Sequence, residues 1–197
     1  MLALTSCGSK KVAQADEYYD NPKQRTVRPT RVAQQESRVE AAAKQYVNGK
    51  LRAFASSKDY DKTDARRDAI RSAQVELAML IENGISQTVK EFRKKATANK
   101  KMMTEKEIED HVESFVIQVI QNTRVVDSQA YDVSDGTVEY EVCVEIPSPV
   151  DNVIGEIGDN LSREGVLAVD YDKHQFIKEN KEIIENNRAR LYEKLGK

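Results

Sequence analysis

Few residues of this chain combine the type and the spacing that chemistry requires. Its two cysteines, Cys7 and Cys143, lie far apart, and neither has another cysteine or a histidine at metal-ligand spacing. The two histidines, His111 and His174, stand alone. Structural zinc takes four such ligands and a nucleophilic thiol takes a neighbouring base, so neither a metal site, a disulfide framework nor a Cys–His pair is expected. G-x-S-x-G, H-E-x-x-H and the phosphate-binding loop are absent. Glu139, Glu141 and Glu145 are the one carboxylate cluster that could work as a general acid and base on a glycoside. Their alternation with apolar residues reads instead as the wet face of a strand. No catalytic and no cofactor-binding residue is expected, and a hydrolase is the weakest reading.

Cys7 carries the specific signal. Leu4-Thr5-Ser6-Cys7 resembles the lipobox of bacterial lipoproteins: a branched apolar residue, two small residues, then cysteine. The small side chains suit a narrow peptidase subsite, and the thiol is needed because a diacylglyceryl group is joined through a thioether. Residues 1–6 read as the end of an apolar signal segment. Residues 7–35 are polar, with Pro22 and Pro29, and contain too few large apolar side chains to offset the entropy of ordering them. They read as a tether with a reach on the order of 30 Å. Gly8, not Asp, follows Cys7. With lipid on Cys7, the resemblance implies the outer membrane, facing the periplasm.

Thirty-one basic and 33 acidic residues leave a net charge of −2, which gives no single-sign field to hold a phosphate backbone; nucleic acid is not an expected partner. No run approaches the roughly 20 apolar residues of a spanning helix.

The elements beyond residue 35 can be read from period and punctuation. A short helix begins near Glu36, with Val39, Ala42, Ala43, Tyr46 and Val47 as its apolar side. Residues 49–57 read as a first strand. Ala65, Ala69, Ala73, Leu77, Ile81, Ile85 and Val89 then recur every four residues, an i±4 ridge that predicts a long helix packed through one face. Thr63 is its expected N-cap, Glu76 and Glu82 are expected in solvent, and Gly84 is an expected kink. Thr104-x-x-Glu107 forms a capping box ahead of a second helix with Ile108, Val112, Phe115, Val116, Val119 and Ile120. Two strands, 123–133 and 137–146, join through Ser134-Asp135-Gly136. The second puts Val138, Tyr140, Val142, Val144 and Ile146 on a covered face, and the glutamates with Cys143 on a wet one. Ser148-Pro149 predicts an N-cap and first helical position, and a last helix starts near Asp172.

This order of strand, long alanine-led helix, second helix and hairpin, with Val125-Val126-Asp127 and Gly136-Thr137-Val138-Glu139-Tyr140-Glu141-Val142, resembles the Lpp-twenty lipoprotein family over residues 49–146. The resemblance implies an α+β fold, a three-stranded antiparallel sheet packed on a long helix, in an envelope protein. It implies no common activity and supplies no catalytic residues. The expected organisation is an α+β domain over 36–147, with one long and one shorter helix, and a C-terminal helical extension over 148–197. The expected function is a non-enzymatic binding or assembly component of the envelope, held to the membrane through Cys7 and meeting an envelope protein partner. A small-ligand or lipid carrier is the alternative, and it requires a pocket between helix and sheet.

Overall fold

In the computed structural model, which describes residues 36–45, 47–95, 104–167 and 171–195, five helices surround one sheet. The order is α1 (Arg38–Lys44), β1 (Lys50–Asp59), α2 (Lys62–Lys95), α3 (Glu105–Ile120), β2 (Arg124–Asp132), β3 (Val138–Pro149), α4 (Val150–Arg163) and α5 (Lys173–Leu195). The sheet is antiparallel with strand order β1-β3-β2, so β3 is central. The fold is the α+β arrangement expected. The lipidation candidate Cys7 and the tether lie outside the described residues.

All seven residues of the four-residue ridge on α2 are fully buried. Alanine at its first three positions lets the helix axis approach the sheet, and the leucine, isoleucines and valine beyond fill the widening gap. At 34 residues α2 is about 51 Å long, well beyond the roughly 34 Å of the ten-residue β1. The overhang is the surface on which the other helices gather. Phe92 meets Phe176 of α5 edge to face, with centroids 5.5 Å apart. At Gly84 a Cβ would stand 2.7 Å from Ile184 Cγ1. The glycine therefore serves close helix approach, and α2 stays helical through it. One apolar cluster takes in β1, α2, α3, β3, α4 and α5, and Val150, Val153, Ile154, Ile157 and Leu161 of α4 are all buried in it.

Local punctuation differs in two places. Asp61, not Thr63, caps α2: its Oδ1 accepts from the amides of Thr63 at 2.6 Å and Asp64 at 3.1 Å. A carboxylate two residues earlier outcompetes the hydroxyl because it accepts two amides at a positive helix end. At α4 the cap is Pro149, one residue later than Ser148, with no side-chain hydrogen bond; Pro149 still pairs with Lys50, which holds the chain in the sheet up to that point. The capping box of α3 forms as read, with Thr104 Oγ1 accepting from Glu107 N and Thr104 N donating to Glu107 Oε2. So does the hairpin: Val133 N donates to Thr137 O, Gly136 turns at φ 86°, and Asp135 accepts from the Thr137 amide and hydroxyl.

Candidate functional site

The largest departure from the sequence reading is the second face of the sheet. Glu139, Glu141, Cys143 and Glu145 are not in solvent; all four are buried, Glu141 and Cys143 completely. The register explains how charge is tolerated there. Glu145 on the central strand lies opposite Arg52 of β1 and Arg124 of β2. Arg52 donates to Oε2 through Nε at 2.8 Å, with Nη2 at 2.7 Å, and Arg124 donates to Oε1 through Nη2 at 2.7 Å and Nε at 3.2 Å. Lys50 Nζ adds a third cation at 3.7 Å. Burial opposes ionisation of Glu145, but the hydrogen bonds from Arg124 and Arg52 outweigh it and hold the carboxyl below its ordinary range. At the other end of β3, Lys58 lies opposite Glu139, Nζ to Oε2 3.7 Å.

Two terminal elements cover this face. From α1, Val39 and Ala43 pack with Phe54 and Cys143, joined at the margin by Ala42, Val126 and Tyr192. Polar bonds tie the cover down. Arg38 reaches Asp127 at 2.7 Å, Arg52 Nη1 donates to Ala42 O at 3.1 Å, and Arg188 Nη2 of α5 donates to Ala43 O at 2.8 Å and Lys44 O at 2.9 Å. The arginines thus take the carbonyls that the end of α1 leaves unbonded. Arg188 also lies over the Tyr192 ring, 5.2 Å from its centroid, and the Tyr192 hydroxyl donates to Arg52 O at 3.2 Å. Burial pushes the Cys143 thiol up to about 11, a larger effect than the opposing pull of Arg52 or the push of Asp127 and Glu145. The thiol is thereby held in its neutral, weakly nucleophilic form, through burial more than through the neighbouring glutamates.

The arrangement is a clamp, with little capacity for proton transfer. Glu145 is ionised and fully engaged. The group whose protonation is tuned near neutrality is Glu76 of α2, which was expected in solvent. It is half-buried, Oε1 is sealed from solvent without a hydrogen bond, and burial raises its carboxyl to about 7. Glu82 is raised too, by burial and then by the charge of Glu113. His111 is half-buried on α3 and His174 exposed on α5. Among the described residues no group of three or more His, Cys, Asp or Glu could hold a metal ion. A recess of about 430 Å³ is lined by Thr63, Arg66, Arg67, Ile70, Arg71 and Gln74, all from α2, so it does not lie between helix and sheet as a carrier requires.

The cross-strand cage was missed because its signal is relational. Lys50, Arg52 and Phe54 sit at alternate positions of β1, and a basic pair followed by an aromatic on one face marks a surface that meets acids. Compared with family models, with curated proteins and with solved structures, the chain matches none.

Proposed function

We propose that this protein is a lipid-anchored component of the bacterial envelope that acts by binding rather than by catalysis, carrying diacylglycerol on the Cys7 sulfur and facing the periplasm from the outer membrane. The observation that carries this reading is Leu4-Thr5-Ser6-Cys7 followed at once by a polar stretch to residue 35. The resemblance of residues 49–146 to the Lpp-twenty lipoproteins supports it. Two acyl chains suffice for stable anchoring, at about 0.8 kcal/mol per buried methylene. Among the described residues no helix is long and apolar enough to cross a membrane. The partner is an envelope protein.

The test is metabolic labelling. Expressed behind a functional lipoprotein signal segment, wild type incorporates labelled palmitate and fractionates with membranes, while Cys7→Ala carries no label. A wild type that is unlabelled and soluble overturns the anchor and the envelope assignment together. Crosslinking in intact cells then tests the binding role, which a reproducible envelope partner supports.

A further inference from the structure

The two faces of the sheet are held by apolar clusters of very different size. One extends from β1 through α2 to α5; the other has four buried members, Val39, Ala43, Phe54 and Cys143. Of these α1 supplies two. With seven residues α1 is too short to persist as a helix once undocked. Its remaining attachments are hydrogen bonds and ion pairs at the margin: the Arg38–Asp127 pair, in which Arg38 is 69% exposed, and the arginine bonds to the carbonyls of residues 42–44. Between α1 and β1 the backbone turns through two successive left-handed residues, Asn48 at φ 54° and Gly49 at φ 70°. Beyond them the chain is pinned, since Val150 N donates to Gly49 O at 2.7 Å. Across the turn Lys50 N donates to Val47 O at 3.1 Å, so swinging about these residues costs that one backbone bond, with α1 on the side that moves.

We propose that α1 is a releasable cover, which lifts off the sheet about Asn48 and Gly49 while the main core stays folded, and so opens the face that carries Cys143 and the Arg52–Glu145–Arg124 cage. Nothing in α1 contributes to the larger cluster, so its release leaves that cluster intact. Segments with few apolar contacts and marginal polar ties are those that open below the free energy of global unfolding. Cys143 has no exposure and shares its cluster with Val39 and Ala43 of α1, with Tyr192 of α5 at the margin, so its thiol is uncovered on the α1 side at each opening. The release does not depend on lipid at Cys7, so a soluble chain can be used to test it.

The experiment follows modification of Cys143 by 5,5′-dithiobis(2-nitrobenzoic acid) in the full chain carrying Cys7→Ser, which leaves Cys143 as its one thiol. Under release, the modification rate rises with urea far less steeply than global unfolding measured by circular dichroism. Arg188→Gln speeds modification by about tenfold or more, as expected for loss of a charge-assisted bond from the closed state. Arg38→Ala, on the surface, speeds it by about two- to fivefold. Leu77→Ala in the main core leaves the rate unchanged, and so does the milder Ile81→Val, which guards against a variant that does not fold. If Cys143 can be reached only through global unfolding, both core variants speed modification by their full loss of stability and the urea slope matches the global one. Either result overturns the proposal, as does an unchanged rate in Arg188→Gln.

Discussion

Glu145 shows how much a single side chain can be asked to organise. It joins the two edge strands through the central one, and Arg52 passes the tie on to the end of α1. Glu145→Gln removes the charge and leaves two guanidinium groups facing a neutral amide. Breaking a buried ion pair costs about 3–5 kcal/mol, and the exposure of Arg124 lowers that here to roughly 2–3 kcal/mol. Lys58→Ala, which loses a longer and largely exposed contact with Glu139, changes stability by about 1 kcal/mol or less. Urea titrations of the two variants check the contrast, and equal losses would mean that the cage is no tighter than an ordinary surface pair. In the ridge of α2, Leu77→Ala and Ile81→Ala each cost about 2–5 kcal/mol as cavities open in the main core. Val75→Ala, on the outer side and 52% exposed, stays within about 0.5 kcal/mol.

Gly84 and Ile184 govern how α5 docks on α2. In an isolated helix Gly84→Ala would add about 1 kcal/mol of helix propensity. Here the new methyl meets Ile184 Cγ1 at 2.7 Å, with Asn180 O also nearby, so α5 must move and the variant is less stable than wild type. Ile184→Ala alone leaves a cavity. The double variant places one methyl where the other group was removed, and is more stable than the sum of the single changes by about 0.5–3 kcal/mol. A double-mutant cycle in urea measures this, and additive changes would show that the helices do not meet at this point. The elements themselves were legible because their signals are local: a ridge of period four, a capping box, a turn with Asp-Gly. The role of Gly84 was not, because a glycine that breaks a helix and one that admits a neighbour look the same until the neighbour is placed. The same limit applies to the faces of β3. Alternation separated Val142 and Val144 from Glu141, Cys143 and Glu145 correctly, but it cannot say what covers each side. The cover of the second face comes from residues 38–44 and from Arg188 and Tyr192, both distant in sequence, and its charges are admissible only once Arg52 and Arg124 are in register with Glu145.

Across the whole molecule, two sets of carboxyls set opposing demands on pH. Asp61, Asp135, Asp159 and Glu145 are held below their ordinary ranges. For Asp61 and Asp135 the causes are hydrogen bonds from their own turns, and for Asp159 the bond from Lys173. Such groups release protons more readily folded than unfolded, so their contribution is present above the unfolded value and is lost as acid protonates them. Glu76 works in the other direction. Burial raises it from the ordinary 4.5 to about 7, so over that interval the folded chain binds a proton that the unfolded chain has released. Its contribution is complete below the unfolded value and is lost as pH rises through the folded one. Above pH 7 the folded chain holds a desolvated carboxylate whose charge Tyr192 also feels, since burial and then Glu76 raise the tyrosine hydroxyl. Stability therefore peaks on the acid side of neutrality, between the loss of the lowered carboxyls below about pH 4 and the ionisation of Glu76 from about pH 5 to 7. Glu76→Gln keeps the shape and removes the titration. At pH 5 the variant matches wild type, at pH 8 it is the more stable of the two, and its stability between those points is flatter. Thermal or urea midpoints across that range decide the matter, and parallel profiles for the two proteins would remove Glu76 as the source of the slope.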